Sequence, residues 1–138
     1  MKTNELMIGD WVNAGYNSKV TGIDLNTDAI RIAGNIGWFK TYEHKPVPIT
    51  PEILEANGFE KYGHRCSIWL NREDFDNHTE IEYRIDQNWF ELKRMANRLY
   101  IYQLKGEVHY VHELQHLLRA AGLNEMADSF VIEKGGSQ

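Results

Sequence analysis

Short segments of alternating apolar and polar residues recur along this chain and limit the folds that it can adopt. In the clearest segment, residues 80–86, Ile81, Tyr83 and Ile85 alternate with charged side chains. A strand turns successive side chains to opposite faces, so these three apolar residues share one face. Repeated segments of this kind, separated by turn-forming residues, predict antiparallel sheets.

The first third of the chain contains four such segments. We predict short strands at residues 7–12, 19–23, 29–32 and 37–42. Short strands at this spacing are typical of a small, strongly bent antiparallel sheet. We therefore expect an SH3-like, barrel-like subdomain over residues 1–45, followed by an extended connector that contains two prolines.

A short helix and a meander follow the connector. Thr50 is a good N-cap residue, Pro51 suits the first helical position, and Gly58 suits the position after the last turn. Residues 59–104 then have the alternation of a β-meander.

A closing helix is predicted over residues 110–121. Val111, Leu114 and Leu118 form an apolar stripe, which we expect to pack on the meander. Residues 130–132 are apolar and suggest a last strand.

The predicted fold is α+β, with an N-terminal barrel-like antiparallel sheet, a short helix, and a β-meander packed by a C-terminal helix. The predicted domains are residues 1–45 and 46–133, with a flexible tail at 134–138.

Composition excludes several classes of protein. Of the 138 residues 42% are hydrophobic, and seven Tyr, five Phe and four Trp argue against a disordered chain. The single cysteine, Cys66, excludes an intramolecular disulfide, and we expect it to be a small buried apolar residue. No apolar run approaches the roughly 20 residues of a membrane span. We therefore expect a soluble cytoplasmic protein with no membrane partner.

The formal net charge of −5 argues against nonspecific binding to duplex DNA, which usually requires a basic excess. The stretch from Lys93 to Lys105 is nevertheless basic, contains no acid and includes two tyrosines. Basic and aromatic side chains on one strand can stack a base or hold a phosphate; alternatively, they form a solvated face that guards a sheet edge. The candidate ligand-binding residues are Arg84, Arg98, Tyr100 and Tyr102.

The closing helix contains one motif with enzyme-like spacing. His112, Glu113 and His116 match H-E-x-x-H, in which two histidines four residues apart ligate zinc and the glutamate activates a bound water. A third ligand would be needed; the candidates are Glu125, Asp128 and Glu133, and His109 if the helix starts one turn earlier.

The position of the two histidines argues against this zinc site. They lie opposite the apolar stripe, together with Gln115 and Arg119, which is the composition of a solvated helix face. The cation of Arg119 would also oppose metal binding next to it. We therefore predict a polar, exposed helix face with no cofactor, and keep zinc as the alternative.

Other polar and aromatic residues receive simpler predictions. The histidines scattered in loops are expected to be solvated: His44, His64 and His78. The tryptophans are expected to lie mostly in the core: Trp11, Trp38, Trp69 and Trp89.

Three motifs together resemble a family of small, uncharacterised proteins from phages and mobile elements of Bacteroidetes. They are NELMIGDWV at residues 4–12, VPITPEIL at 47–54 followed by NGF at 57–59, and YVHELQHL at 110–117. His116 stands where the family usually has Asn. The motifs look like segments that stabilise a fold, so the resemblance implies the biological origin of the protein more than a particular reaction.

The function that we expect is a noncatalytic binding module in the cytoplasm of a host cell. Its target would be a host protein or a small nucleotide-like ligand, with counter-defence as one role. Two alternatives remain: a minimal zinc-dependent hydrolase with Glu113 as its base, and a structural or virion-associated homo-oligomer.

Overall fold

The computed structural model describes residues 1–13, 15–41 and 44–132. The contacts between Cα atoms divide the chain into two compact units. The first unit contains Met1–Pro48 and Tyr110–Phe130, and the second contains Ile49–His109 together with Val131 and Ile132. The predicted flexible tail at 134–138 and the candidate ligand Glu133 lie outside the described residues.

The regular elements follow one another in an α+β order, as predicted. A 3-10 turn at Thr3–Glu5 precedes ten strands and three helices in the described part of the chain. The strands are β1 (Trp11–Asn13), β2 (Asn17–Asp24), β3 (Ala29–Ile32), β4 (Phe39–Lys40), β5 (Lys45–Pro46), β6 (Glu60–Tyr62), β7 (Arg65–Leu70), β8 (Thr79–Arg84), β9 (Trp89–Ala96) and β10 (Leu99–Glu107). The helices are α1 (Pro51–Ala56), α2 (Val111–Ala120) and α3 (Asn124–Asp128).

The sheet of the first unit is antiparallel and open, with the strand order β4-β3-β2-β1-β5. It is therefore an open sheet and not a closed barrel. Its strands are short, and β2 carries a register shift between Val20 and Gly22 that disrupts the ladder locally. The connector is also partly a strand, because Lys45 and Pro46 pair with β1.

Leu6 and apolar residues from the inner face of β1, β2 and β3 form a buried cluster in the first unit. The cluster consists of Leu6, Val12, Val20, Ile30 and Ile32. Each of these residues is nearly or completely buried, so the alternation seen in the sequence does mark the inner face of this sheet.

Helix α2 belongs to the first unit, where it packs against β1 and α3. The backbone N–H of Val111 donates to the carbonyl of Val47 at 2.8 Å, which ties the start of the helix to the segment after β5. The sequence assigned this helix to the meander. Amphipathicity shows that one face is buried but carries no information on which sheet covers it.

The sheet of the second unit is a meander with the order β10-β9-β8-β7-β6, so neighbours in sequence are neighbours in space. Its buried face includes Cys66, Ile81, Tyr83, Phe90 and Leu92. Burial is also what raises the pKa of the Cys66 thiol. These residues confirm the predicted meander and the predicted burial of the cysteine.

Two local predictions are wrong, and one helix was not predicted. Residues 130–132 form no strand, and residues 124–128, which received no prediction, form α3. Of the four tryptophans none is buried, and Trp38 is 47% exposed. An indole is large and carries an N–H, so it often remains at the surface with its polar edge bonded, as when Trp11 donates to the carbonyl of Phe130.

None of the described helices has the length and apolar character that crossing a membrane requires.

Candidate binding surface

A buried carboxylate organises the polar face of α2. The side chain of Asp10 is fully buried, yet it accepts three hydrogen bonds. The backbone N–H of Met7 donates at 2.8 Å, the guanidinium of Arg119 at 2.7 Å, and Nε2 of His116 lies at 2.6 Å. A buried charge requires this kind of pairing, because an isolated carboxylate would lose its hydration without compensation.

Gln115 joins the same helix face to the backbone. Its side chain is completely buried, and its amide donates to the carbonyls of Gly9 at 2.9 Å and Ala127 at 3.0 Å. Its side-chain oxygen accepts the N–H of Trp11 at 3.1 Å. One amide group therefore connects the start of β1, α2 and α3 within the first unit.

His112 is the most deeply buried histidine of this face, at 4% exposure. Its ring stacks on Tyr110, and its Nδ1 atom has no hydrogen-bond partner among the described residues. Burial lowers the pKa of His112, because the charged imidazolium would lose solvation, although the nearby Asp10 carboxylate acts in the opposite direction. Burial therefore favours the neutral form of the His112 ring.

The prediction of a solvated face on α2 is wrong. His112 and Gln115 are buried, and the guanidinium of Arg119 has a side-chain exposure of only 13%. The segment from Met7 to Trp11 covers this face and supplies the acceptors and donors that the polar side chains need. A helix face can be polar because its partner is polar, and sequence periodicity does not distinguish that partner from water.

The H-E-x-x-H residues have contacts that do not fit a zinc site. Nε2 of His116 is bonded to Asp10, and the cation of Arg119 lies on the same carboxylate. Glu113 accepts the backbone N–H of Tyr110 at 3.1 Å, which satisfies a donor at the start of α2. Within the described ranges, no three His, Cys, Asp or Glu side chains are grouped as metal ligands, so the set His112, His116 and Glu125 does not form.

The exposed aromatic residues lie on the other unit, on the hairpin formed by β9 and β10. Its turn is Asn97–Arg98, and both residues have positive φ angles, of 50° and 68°. Positive φ at both central positions is typical of the tight turns that match the twist of a hairpin. β9 and β10 are therefore paired up to this turn, which forms the tip of the hairpin.

The loop between β7 and β8 supports the tip of this hairpin. The backbone N–H of Arg98 donates to the carbonyl of Asp76 at 3.2 Å, and the N–H of Met95 donates to the carbonyl of His78 at 2.9 Å. The guanidinium of Arg98 also forms an ion pair with the Asp76 carboxylate at 3.0 Å. The tip is therefore held by backbone bonds to a neighbouring loop.

The hairpin exposes four consecutive apolar or aromatic residues, Leu99 to Tyr102. Leu99, Tyr100 and Ile101 are 69%, 57% and 62% exposed, and Tyr102 is 37% exposed. Beside them is an open groove of about 400 Å³, lined by Lys93 and residues 100–103. Contiguous exposed apolar residues with a polar border are typical of interaction sites. We call Lys93 and residues 99–103 the hairpin surface.

A β-bulge separates the two tyrosines. Tyr100 pairs with Met95 and Tyr102 pairs with Arg94, so β10 has one extra residue at Ile101. The Nζ atom of Lys93 lies 5.7 Å from the ring centroid of Tyr100, and Cζ of Arg94 lies 5.6 Å from that of Tyr102. Lys93 and Arg94 are adjacent on a strand and point to opposite faces, so the two cation–aromatic pairs do too.

Of the four candidate binding residues only Tyr100 and Tyr102 line the groove, so the four do not converge on one pocket. Tyr100 and Tyr102 occupy opposite faces, and Arg98 lies at the tip with its side chain 81% exposed. Arg84 is placed elsewhere: it pairs with Trp89 at the other end of β9 and contacts Glu82 at 3.3 Å. Sequence analysis missed Leu99 and Ile101, although a run of four apolar or aromatic residues on one strand is the signal that would have found them.

His78 lies under the loop that supports the tip, at 2% exposure. Nδ1 is 2.7 Å from the carbonyl of Phe75 and Nε2 is 2.9 Å from the carboxylate of Glu80. Both partners are acceptors, so the imidazolium, which donates from both nitrogens, is the form of the ring that satisfies both contacts. The hydrogen bond to Glu80 is the main cause of the raised pKa of His78, and its ring stacks on Trp69 at 4.6 Å.

Two of the three loop histidines are therefore buried, contrary to the prediction that all three are solvated. His44 is 4% exposed and His78 is 2% exposed, whereas His64 is exposed as expected. The Nδ1 atom of His44 bonds the carbonyl of Lys40 at 3.1 Å. Local hydrogen bonds from a histidine to nearby backbone allow it to be buried, and composition alone does not reveal them.

Comparison with known proteins gives no match: no family model, no curated protein and no solved structure is similar to this chain.

Proposed function

We propose that this chain is a noncatalytic binding module of phage or mobile-element origin, and that it engages a host protein through the hairpin surface. The observation that carries the proposal is the run of exposed residues at 99–102 on a hairpin tip anchored by backbone hydrogen bonds. The phage or mobile-element origin is proposed from the resemblance of the three sequence motifs, which also suggests counter-defence as a role.

The geometry of the hairpin surface favours a protein over a nucleotide. A nucleotide site needs cations that converge on phosphates beside an aromatic ring that stacks the base. Lys93 and Arg94 are directed to opposite faces, and Arg98 is paired with Asp76. An open, apolar surface with a charged rim instead matches the anatomy of protein interfaces, in which tyrosines are frequent anchors.

Affinity capture from a bacterial host lysate, followed by binding of the purified partner, tests this proposal. The test variant is Tyr100→Ser combined with Ile101→Ser. The control is Tyr62→Ser on β6, a tyrosine of similar exposure, 63%, at the opposite edge of the same sheet.

We expect one stoichiometric partner with the wild-type chain and with Tyr62→Ser. Loss of an interface tyrosine costs about 2 kcal/mol, so the double variant should bind about thirtyfold more weakly or worse. Equal capture by all three proteins would contradict the proposal. A thermal shift with nucleotides but no protein partner would favour the nucleotide-like ligand, and a defined oligomer in native mass spectrometry would favour the structural role.

A further inference from the structure

We propose that His78 is a pH-sensitive switch: while both of its ring nitrogens are protonated, it holds the tip of the β9–β10 hairpin in the position that presents the hairpin surface. The switch regulates the site of the proposed function, and only its effect on partner affinity rests on that function. Such a switch needs a titratable group, a contact that depends on its proton, and an element that the contact positions.

The tip of the hairpin is held by three consecutive residues of the loop between β7 and β8. The backbone N–H groups of Met95, Asn97 and Arg98 donate to residues 78, 77 and 76, at 2.9, 3.2 and 3.2 Å respectively. The acceptors are two backbone carbonyls and, at residue 77, a side-chain oxygen. The position of the tip therefore depends on residues 76–78, of which His78 is the last.

The ring of His78 joins this loop to β8. Its Nδ1 atom lies 2.7 Å from the carbonyl of Phe75, which directly precedes the residues that hold the tip. Its Nε2 atom lies 2.9 Å from the carboxylate of Glu80, which is part of the strand. The ring also stacks on Trp69, with the two planes 9° apart. The imidazolium satisfies both acceptors, whereas a neutral imidazole can donate to only one of them.

Loss of one proton should release the loop and leave the contact with the strand. A hydrogen bond to a carboxylate is stronger than one to a neutral carbonyl. The proton that stays on the neutral ring is therefore the one on Nε2, next to Glu80. The carbonyl of Phe75 then faces a lone pair of Nδ1 at 2.7 Å, which is unfavourable. The loop should move away from the ring, and its three bonds to the tip should weaken.

The acidic groups near the ring determine the direction of the switch. The hydrogen bond to Glu80 has the largest effect on the pKa of His78 and raises it, burial opposes this effect, and the more distant Asp74 adds to the rise. The residue that packs on the ring from β7, Trp69, carries no charge. Because the pKa is raised above 6.5, the tip is held below that pH and is released as the pH rises through the pKa of the folded protein.

The cations on the neighbouring elements are engaged with other carboxylates. On β9, Lys93 lies opposite Glu80 in the register, and its Nζ atom is 3.9 Å from the carboxylate of Glu91. At the turn, the guanidinium of Arg98 is paired with Asp76 at 3.0 Å. The carboxylate of Glu80 thus has the ring of His78 as its nearest cationic partner, at 2.9 Å.

A pH titration of the free protein by NMR tests the switch without any partner. The ring nitrogen signals of His78 report its protonation, and hydrogen exchange of the Met95, Asn97 and Arg98 amides reports whether the tip is held. We expect these amides to lose at least about tenfold of their protection between about pH 6 and about pH 8.5, after correction for intrinsic exchange, with the midpoint of the ring titration. Unchanged protection while the ring loses its proton overturns the inference, as does a ring that keeps one protonation state across this range.

A substitution at Glu80 separates the switch from a general effect of pH. In Glu80→Gln the side-chain amide can donate to Nε2, so the neutral ring keeps its proton on Nδ1 and its bond to the loop. We expect the tip amides of this variant to stay protected at both pH values. Glu82→Gln is the matched control: it lies on the same face of β8, its side chain is 27% exposed against 22% for Glu80, and it contacts arginines on β7 and β8.

Circular dichroism confirms that both variants fold, and Glu82→Gln should lose protection as the wild-type protein does. If Glu80→Gln loses protection to the same extent as the wild type, His78 does not control the tip.

The affinity for the captured partner tests the regulatory consequence. Only molecules whose tip is held bind well, so the apparent Kd of the wild type should rise at least about threefold between about pH 6 and about pH 8.5. Glu80→Gln should show no such rise. An equal rise in this variant would come from groups of the partner and would overturn the regulatory role.

The outcomes distinguish this inference from the proposed function. If Tyr100→Ser with Ile101→Ser leaves capture intact, the hairpin surface is not the binding site, and the amide titration still decides whether the switch exists. If that double variant abolishes capture but the tip amides do not respond to the protonation of His78, the hairpin surface binds the partner and the switch is wrong.

Discussion

Asp10 is the residue on which the first unit most depends, because its carboxylate is fully buried between a loop and a helix. Its partners, His116 and Arg119, are more than a hundred residues away in sequence. Asp10 lies in the segment 4–12 and His116 in the segment 110–117, so a hydrogen bond to a buried carboxylate joins two segments that are far apart in sequence.

We expect Asp10→Asn to lower the free energy of unfolding by about 3 kcal/mol, because it leaves the Arg119 cation without its buried partner. Asp128→Asn is the matched control, since Asp128 contacts the same guanidinium at 3.3 Å with its own side chain 64% exposed. That control should cost less than about 1 kcal/mol. Urea unfolding measures both values. Equal losses for the two variants would show that Asp10 has no special role.

His78 gives the second unit a pH-dependent stability. Its pKa is raised in the folded state, above the usual 6.5, chiefly by the hydrogen bond to Glu80. A raised histidine pKa stabilises the fold fully below the pKa of the unfolded chain, and this contribution is lost as pH rises through the folded-state value. The free energy of unfolding should therefore fall as the pH increases across the range just above 6.5.

Urea unfolding at a series of pH values tests this prediction. Glu80→Gln removes the charge that holds the imidazolium, and we expect it to flatten this part of the stability profile. His64 is exposed, so His64→Gln should leave the profile unchanged. If Glu80→Gln keeps the full dependence, another group is responsible for it.

At the scale of elements, helix α1 shows how well local signals predict structure. Thr50 was predicted as the N-cap, and its hydroxyl accepts the N–H of Ile53 at 3.2 Å, one turn into a helix that begins at Pro51. Gly58 follows the helix with a φ of 92°, as predicted for a residue that must adopt a left-handed conformation. These sequence signals predict the ends of the helix well because each residue acts on backbone groups only a few residues away.

We expect Thr50→Ala to cost about 1 kcal/mol of stability, because it leaves an N–H of the first turn without its acceptor. Thr50→Ser retains the hydroxyl and should restore most of that loss. Thermal unfolding compares the two variants. A Thr50→Ser protein as unstable as Thr50→Ala would indicate that the methyl group, and not the cap, is what matters.

The hairpin shows where local signals fail. Residues two apart on a regular strand share a face, but the bulge at Ile101 places Tyr100 and Tyr102 on opposite faces. The alternation rule assumes a regular strand, so a bulge of one residue reverses the face that the rule assigns to every residue after it. The strand that contains the two tyrosines was therefore predicted from the sequence, whereas the direction of their side chains was not.

For the whole molecule, the sequence predicted the α+β class and the meander but not the grouping of elements. Strand alternation and helix amphipathicity both indicate that one face is buried. Neither pattern indicates which other element covers that face. The structure places α2 in the unit of the first sheet, and the sequence assigned it to the second. The polar residues of α2 were misread for the same reason, since the segment that covers them is distant in sequence.

The most direct test of the binding function is site-specific photo-crosslinking in host cells. A photoreactive phenylalanine replaces Tyr100 in one protein and Tyr16 in the other; these two tyrosines are 57% and 56% exposed and lie in different units. We expect a covalent adduct with one defined host protein from position 100 and none from position 16. Adducts from position 16 alone, from both positions equally, or from neither would contradict it.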